Sequence, residues 1–300
     1  MTFFIGVDGG GTRTRAVIID DAGREVGRAA GAGAGATASE PDRAATAVAA
    51  TVREAAEAAG VALPASVLWA GLAGAGAAEA RDRVRTALAA GGLADRVVVG
   101  TDVEAAFHDA FPDGPGVLLI AGTGSIVWSR DAGGVVTRVG GWGRQLGDEG
   151  SGFWVGIEGL REVVRAADGR AGETRLSEAM LSAVGVPVVE GLIPWIETAE
   201  KGRIAALAPI VAAQADAGDA IAMRIIRSAV EELVAHVTAA CRAERPAVLL
   251  WGGLVSGAGP LRKHLQDALE EEGFPAMERA VDPALGAALL GRQAVEESTS

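Results

Sequence analysis

Four short stretches of this chain set reactive side chains beside bare backbone. In "GVDGGGTRT" (6–14), Asp8 precedes three glycines and a threonine. Successive glycines let backbone N–H groups point into one concavity with no Cβ in the way of a phosphate, and Thr12 adds a hydroxyl. Asp8, an acceptor-only carboxylate, suits a water-mediated Mg²⁺ ligand beside such phosphates; the same residues also make a plain tight hairpin turn. "AGTGS" (121–125) repeats the glycine–threonine turn, so the two turns could hold a triphosphate from opposite sides. Asp102 closes "RVVVGTD" at the carboxyl end of a strand-like run, where open α/β sheets place their ligands. It could accept the proton of a hydroxyl attacking phosphorus, or it could cap the helix that begins at Val103. If it faces substrate, Thr101 or backbone must do the capping.

The run "GGWGRQLGDEGSGFW" (140–154) frames an indole, a guanidinium and two adjacent carboxylates with glycines before a helix near Ser151. Trp142 could stack on a sugar face and Asp148 could accept sugar hydroxyls or reach a metal's water shell. The alternatives are Trp142 in the core, with Asp148 and Glu149 as helix N-terminal charges. In "LLWGGLVSGAGPL" (249–261), Gly252 and Gly253 could let adenine lie on the backbone, or simply turn a strand into a helix. No G-x-x-x-x-G-K-[ST] loop occurs, and Lys201 and Lys263 are the only lysines. His108, His236 and His264 have no metal-ligand spacing and read as structural or solvated.

The elements that must hold these residues follow from periodicity. "FFIGVD", "RTRAVIID" and "REVGRA" read as three strands joined by turns, and "GVLLIAGTGSIVWSRDAGGVVTRVGG" (116–141) repeats that grammar. Gly11-Thr12 and Gly122-Thr123 are 111 residues apart, and Asp21-Ala22-Gly23 and Asp131-Ala132-Gly133 are 110 apart, which points to an internal duplication. "SEPDRAATAVAATVREAAEAAG" (39–60) reads as a helix with Ser39 as N-cap, Pro41 in its first turn and Gly60 past its end. The first half is then β-β-β-α-β-α-β-α, a sheet with helices on its faces. The second half is richer in helix, including "RIAALAPIVAAQADAG" as one, before the strand and helix of "PAVLLWGGLVSGAGPLRKHLQDALEEEG". Domain 1 is expected over about 1–115 with a terminal helix at about 283–298, and domain 2 over 116–281.

Composition bounds the function. The chain has 300 residues, 49% hydrophobic and 22% charged, enough for two globular cores. A net charge of −12 gives no basic stripe for nucleic acid, so a phosphate ligand must be met by backbone N–H groups and a divalent cation. One cysteine, Cys241, excludes an intrachain disulfide and a Cys-rich metal site. The apolar runs are too short to span a bilayer and the N-terminus lacks signal-peptide features, so no membrane partner and a cytoplasmic location are expected.

Taken in order, "DGGGT", "TD", "GTGS", "GGWG" with "GDEGSG", and "WGGL" resemble the sugar-kinase and actin superfamily of ATPases. Within it they resemble most the N-acetylglucosamine kinase branch of the BadF/BadG/BcrA/BcrD ATPase family. The resemblance implies an α/β, duplicated ribonuclease-H-like (actin-like ATPase) fold of two domains with an interdomain cleft for ATP. It implies phosphorylation of the 6-hydroxyl of N-acetylglucosamine or a related hexosamine, with Mg²⁺ near Asp8 and Asp102 as catalytic base. It carries Gly10, Gly11, Thr12, Arg13, Gly122, Thr123, Gly124, Ser125, Gly252, Gly253 and Ser256 to the nucleotide. Thr123, Gly141, Trp142, Gly143, Asp148 and Asp102 go to the sugar, and a homodimer is implied. The family's sugar-binding asparagine is missing from residues 31–41, where Thr37 and Ser39 are the candidate substitutes. The alternatives are a glucosamine or N-acetylmuramic acid kinase and a non-catalytic sugar sensor. An activator of a 2-hydroxyacyl-CoA dehydratase resembles the chain at both loops but needs four thiolates for its [4Fe-4S] cluster, and two copies of this chain supply two. ROK-type kinases usually carry a Cys-rich zinc motif, which one cysteine cannot make.

Overall fold

The computed structural model describes residues 2–37, 39–241 and 244–299. The chain divides into two compact units, Met1–Asp113 with Ala280–Ser300, and Gly114–Arg279. The first unit begins with β1 (Phe3–Gly9), β2 (Arg13–Asp20) and β3 (Glu25–Ala32), then α1 (Pro41–Ala59), β4 (Ala65–Leu72), α2 (Ala78–Ala89), β5 (Ala94–Gly100) and α3 (Asp102–Ala110). Its sheet runs β3-β2-β1-β4-β5, antiparallel through β2 and parallel from β1 to β5. β1 is an almost continuous apolar run because both of its faces are covered. Ile5 and Val7 pack with α1 and α2, while Phe4 packs on the opposite face.

The second unit carries β6 (Gly116–Ala121), β7 (Ser125–Arg130) and β8 (Val136–Gly140), followed by α4 (Gly152–Ala167), α5 (Leu176–Val184), α6 (Leu192–Thr198), α7 (Lys201–Ala205), α8 (Ala208–Asp216) and α9 (Ala220–Cys241). Then come β9 (Val248–Trp251), α10 (Arg262–Glu271) and β10 (Ala276–Met277). Its sheet order, β10-β9-β6-β7-β8, repeats that of the first unit strand for strand. The expected single helix over "RIAALAPIVAAQADAG" is split into α7 and α8, with Pro209 in the first turn of α8, where proline is tolerated. Val117, Leu119, Val248 and Leu250 form the floor of one buried cluster roofed by Val155, Val163, Leu233 and Val237.

The last helix, α11 (Pro283–Thr299), packs in the first unit. Ala284 and Ala288 lie on β1 and Ala287 on Trp69, so closely that a Cβ at Gly6 would overlap the Ala284 carbonyl oxygen and the Ala288 nitrogen. Among the described residues no single helix is long and apolar enough to cross a membrane.

Two local readings are corrected. Ser39 is not the N-cap of α1: Glu40 is, without a side-chain cap, and the Thr37 hydroxyl accepts the Glu40 N–H at 3.2 Å. The second correction concerns the duplicated turns. Asp20 Oδ1 accepts the N–H groups of Ala22 and Arg24 at 3.0 and 2.9 Å, and Asp131 Oδ1 accepts those of Gly133 and Val135 at 2.9 and 2.8 Å. Gly23 and Gly134 follow with φ of 78° and 82°. Asp131 therefore matches Asp20, not Asp21, and both turns share the 111-residue offset of the glycine–threonine turns. The repeat of letters misled because hydrogen bonds, not the flanking alanines, define the turn.

Candidate active site

In the first unit the loops after β1, β3 and β4 gather at the carboxyl ends of the parallel strands. Gly10 N–H bonds Arg13 O at 2.9 Å to close the β1–β2 turn, while Ala34 N–H bonds Gly10 O and Ala73 N–H bonds Gly9 O, each at 2.9 Å. The turn is pinned from below and its top is bare: nothing lies within 4 Å of a Cβ built on Gly11. Gly11, Thr12 and Arg13 are exposed. A cavity of about 150 Å³ opens beside them, lined by Gly11, Gly33, Gly35, Thr37 and Arg43 among others.

Asp8 is the last residue but one of β1, and burial pushes its carboxyl up to about 6, with the charge of Asp102 the next cause. Arg15 opposes the shift and Asp282 adds to it. Asp102 is likewise held above the usual carboxylate range, chiefly by burial. The structure therefore brings these two acids into one electrostatic neighbourhood. Thr101, not Asp102, is the N-cap of α3: its hydroxyl accepts the Glu104 N–H at 3.1 Å and the Glu104 carboxylate accepts the Thr101 N–H at 2.6 Å. This capping box frees Asp102 from the cap, and its Oδ1 accepts Val103 N–H at 3.1 Å. Among the described residues no group of three or more His, Cys, Asp or Glu could hold a metal. Asp8 and Asp102 fit Mg²⁺ only in the manner of phosphate sites, where one or two carboxylates share the ion with phosphate oxygens and water.

In the second unit the β6–β7 turn closes with Gly122 N–H to Gly124 O at 2.9 Å and leaves Thr123 exposed. The start of α4 is tied to it by Gly152 N–H to Gly122 O at 2.8 Å, and Ser151 caps that helix through Trp154 N–H. The Gly252–Gly253 turn lies against the same strand end: Leu254 N–H bonds Ala121 O at 3.1 Å, and Gly253 N is 3.8 Å from a Cβ built on Gly122. Ser256 spends its hydroxyl on Leu250 O at 3.3 Å, holding that turn.

Asp148 is 3% exposed and sits at φ 62°. Its Oδ1 accepts Ser125 N–H at 3.3 Å, and its Oδ2 meets Lys201 Nζ at 2.5 Å. It is thus a buried ion-pair partner, not a helix-end charge. Ser125 Oγ donates to Glu149 O at 2.7 Å, and Gly141 N–H bonds Ser125 O at 3.0 Å, so the loop 140–150 is sewn to β7. His236, as expected, is structural: its Nδ1 lies 2.6 Å from Glu232 O and its ring is set against Gly140. Trp142 is 67% exposed, which removes the core reading, and the Arg138 guanidinium lies over its ring at 4.7 Å. Gly143 lies next to it with φ 83°. Lys201 belongs to no sequence motif; its one signal is that only two of the 27 Lys and Arg residues are lysine.

The profile of the BadF/BadG/BcrA/BcrD ATPase family matches residues 5–291. An N-acetylmuramic acid/N-acetylglucosamine kinase of Clostridium acetobutylicum is 32% identical over 176 residues, and an N-acetyl-D-glucosamine kinase of Dictyostelium discoideum is 33% identical over 187. Each alignment covers 58% of this chain and 58% of the relative, so the chain spans under two thirds of the curated relatives it matches. The crystal structure of a Chromobacterium violaceum protein provisionally assigned as an N-acetylglucosamine kinase is 29% identical, with a TM-score of 0.79 over 98% of this chain and 99% of that one.

Proposed function

The chain belongs to the BadF/BadG/BcrA/BcrD ATPase family, and on that footing we propose that it is an ATP-dependent amino-sugar kinase acting on the 6-hydroxyl of N-acetylglucosamine or a related hexosamine. The observation that carries this reading is Asp102. A half-buried carboxylate at a strand end, relieved of capping by Thr101 and electrostatically coupled to Asp8, is suited to take a proton from an alcohol.

In the proposed reaction the sugar oxygen forms a bond to the γ-phosphorus while the bond to the β,γ-bridging oxygen breaks, its electron pair leaving with ADP. The hydroxyl proton passes to Asp102. Gly10 to Arg13 and Gly122 to Ser125 present backbone N–H groups to phosphate oxygens, and Gly252, Gly253 and Ser256 support the adenosine. Asp8 would hold Mg²⁺, which when bound would supply charge neutralisation at the phosphates. Thr123, Gly141, Trp142, Gly143 and Asp148 take the sugar, with Trp142 offering its exposed face. A homodimer and a cytoplasmic location belong to the same proposal.

The test is ADP release measured against a panel of N-acetylglucosamine, glucosamine, N-acetylmuramic acid and glucose. Turnover that rises only with an amino sugar supports the proposal. ATP binding without sugar-dependent turnover refutes it in favour of a sensor.

A further inference from the structure

Lys201 stands on α7, a five-residue helix that no sequence motif connects to phosphate chemistry. α7 reaches the site because α4 is notched by glycine where the two meet. A Cβ at Gly156 would overlap the Ile204 carbonyl oxygen, and one at Gly152 would lie 3.2 Å from that of Ala205. The same end of α4 is hydrogen-bonded to the β6–β7 turn through Gly152 and Phe153. α7, α4 and the glycine–threonine turn are therefore packed and hydrogen-bonded together, and the lysine head arrives at the turn itself. Lys201 Nζ lies 3.0 Å from a Cβ built on Gly124 and 2.5 Å from Asp148 Oδ2, with its side chain 32% exposed.

We infer that Lys201 binds the terminal phosphoryl group of a nucleoside triphosphate at Gly122–Ser125, a role that rests on the kinase reading above and deepens it. An ammonium has three donors, and the Asp148 bond takes one. Gly124, having no Cβ, lets the Asp148 carboxylate and the Lys201 ammonium close on the turn, and the ammonium keeps two donors beyond its Asp148 bond. Asp148 holds the lysine in place through one oxygen while its other accepts Ser125 N–H, so the pair is part of the loop and not a surface contact. The chain's other lysine, Lys263, is 83% exposed and pairs with Asp267 on α10.

Lys201→Met alone strands the buried Asp148 charge and risks misfolding. The decisive comparison is therefore Asp148→Asn against Asp148→Asn/Lys201→Met, with Lys263→Met as surface control and circular dichroism to confirm folding. Calorimetric titration of the full chain with Mg²⁺ and either AMP-PNP or ADP reads the result. Loss of one charge-assisted bond predicts that the double variant binds AMP-PNP about 10- to 100-fold more weakly than Asp148→Asn, with ADP changed less than about 3-fold. Lys263→Met should match wild type. Equal AMP-PNP affinity in the two variants, or an equal loss for ADP, overturns the role of Lys201 alone. Wild-type protein that binds neither nucleotide overturns the kinase reading with it.

Discussion

Asp8→Asn should stabilise the ligand-free protein while abolishing turnover. The Asp8 carboxyl titrates near 6 in the folded chain against 3.8 for the free side chain, because burial first and the Asp102 charge second oppose its ionisation. A carboxyl raised in this way favours folding while it is protonated, and that contribution is lost as pH rises from about 4 through 6. The difference of about two units, at about 1.4 kcal/mol per unit, makes the charged group cost about 3 kcal/mol by pH 8. Asparagine keeps the shape and removes the charge. The variant should gain up to about 3 kcal/mol at pH 8 and about 0.5 kcal/mol at pH 4. Because the chain has two units, a single melting curve mixes them. Hydrogen exchange of the slowest amides of β1 and β4, followed through a urea titration at each pH, isolates the first unit. Destabilisation at pH 8, or a gain that does not shrink at pH 4, refutes the picture of an uncompensated buried charge.

Asp102→Asn should lower kcat by about 10²- to 10⁴-fold with nucleotide affinity unchanged by titration; retained kcat removes the base assignment. Thr101→Ala, by breaking the capping box of α3, should cost about 1 kcal/mol in chemical denaturation and lower kcat by loosening Asp102. Gly6→Ala should displace α11 from β1, costing about 3 kcal/mol and exposing residues 283–296 to limited proteolysis. Gly124→Ala would set a methyl 2.7 Å from Asp148 Oδ1, so AMP-PNP affinity should fall in the same titration that tests Lys201.

The three-strand arrays, their glycine–threonine turns and the helices α1 to α3 were legible because each depends on neighbours a few residues away. Strand alternation, a glycine at a left-handed position and a proline in a first turn act within one element. The same locality explains the errors. Ser39 looked like a cap because only the backbone angles decide which residue stands at the helix boundary, and Glu40 does. β10 gave no signal because two residues carry no period, and only pairing with β9 makes them a strand.

From sequence alone came the duplicated glycine–threonine turns and the two acids near strand ends, since glycine runs and strand termini mark themselves. Only tertiary structure coupled Asp8 to Asp102, through the parallel run β1, β4, β5, and only it carried Lys201 across 53 residues to Asp148. The reason is physical: local sequence sets backbone angles, whereas the charge that a buried carboxylate meets depends on which distant elements pack close enough to exclude water.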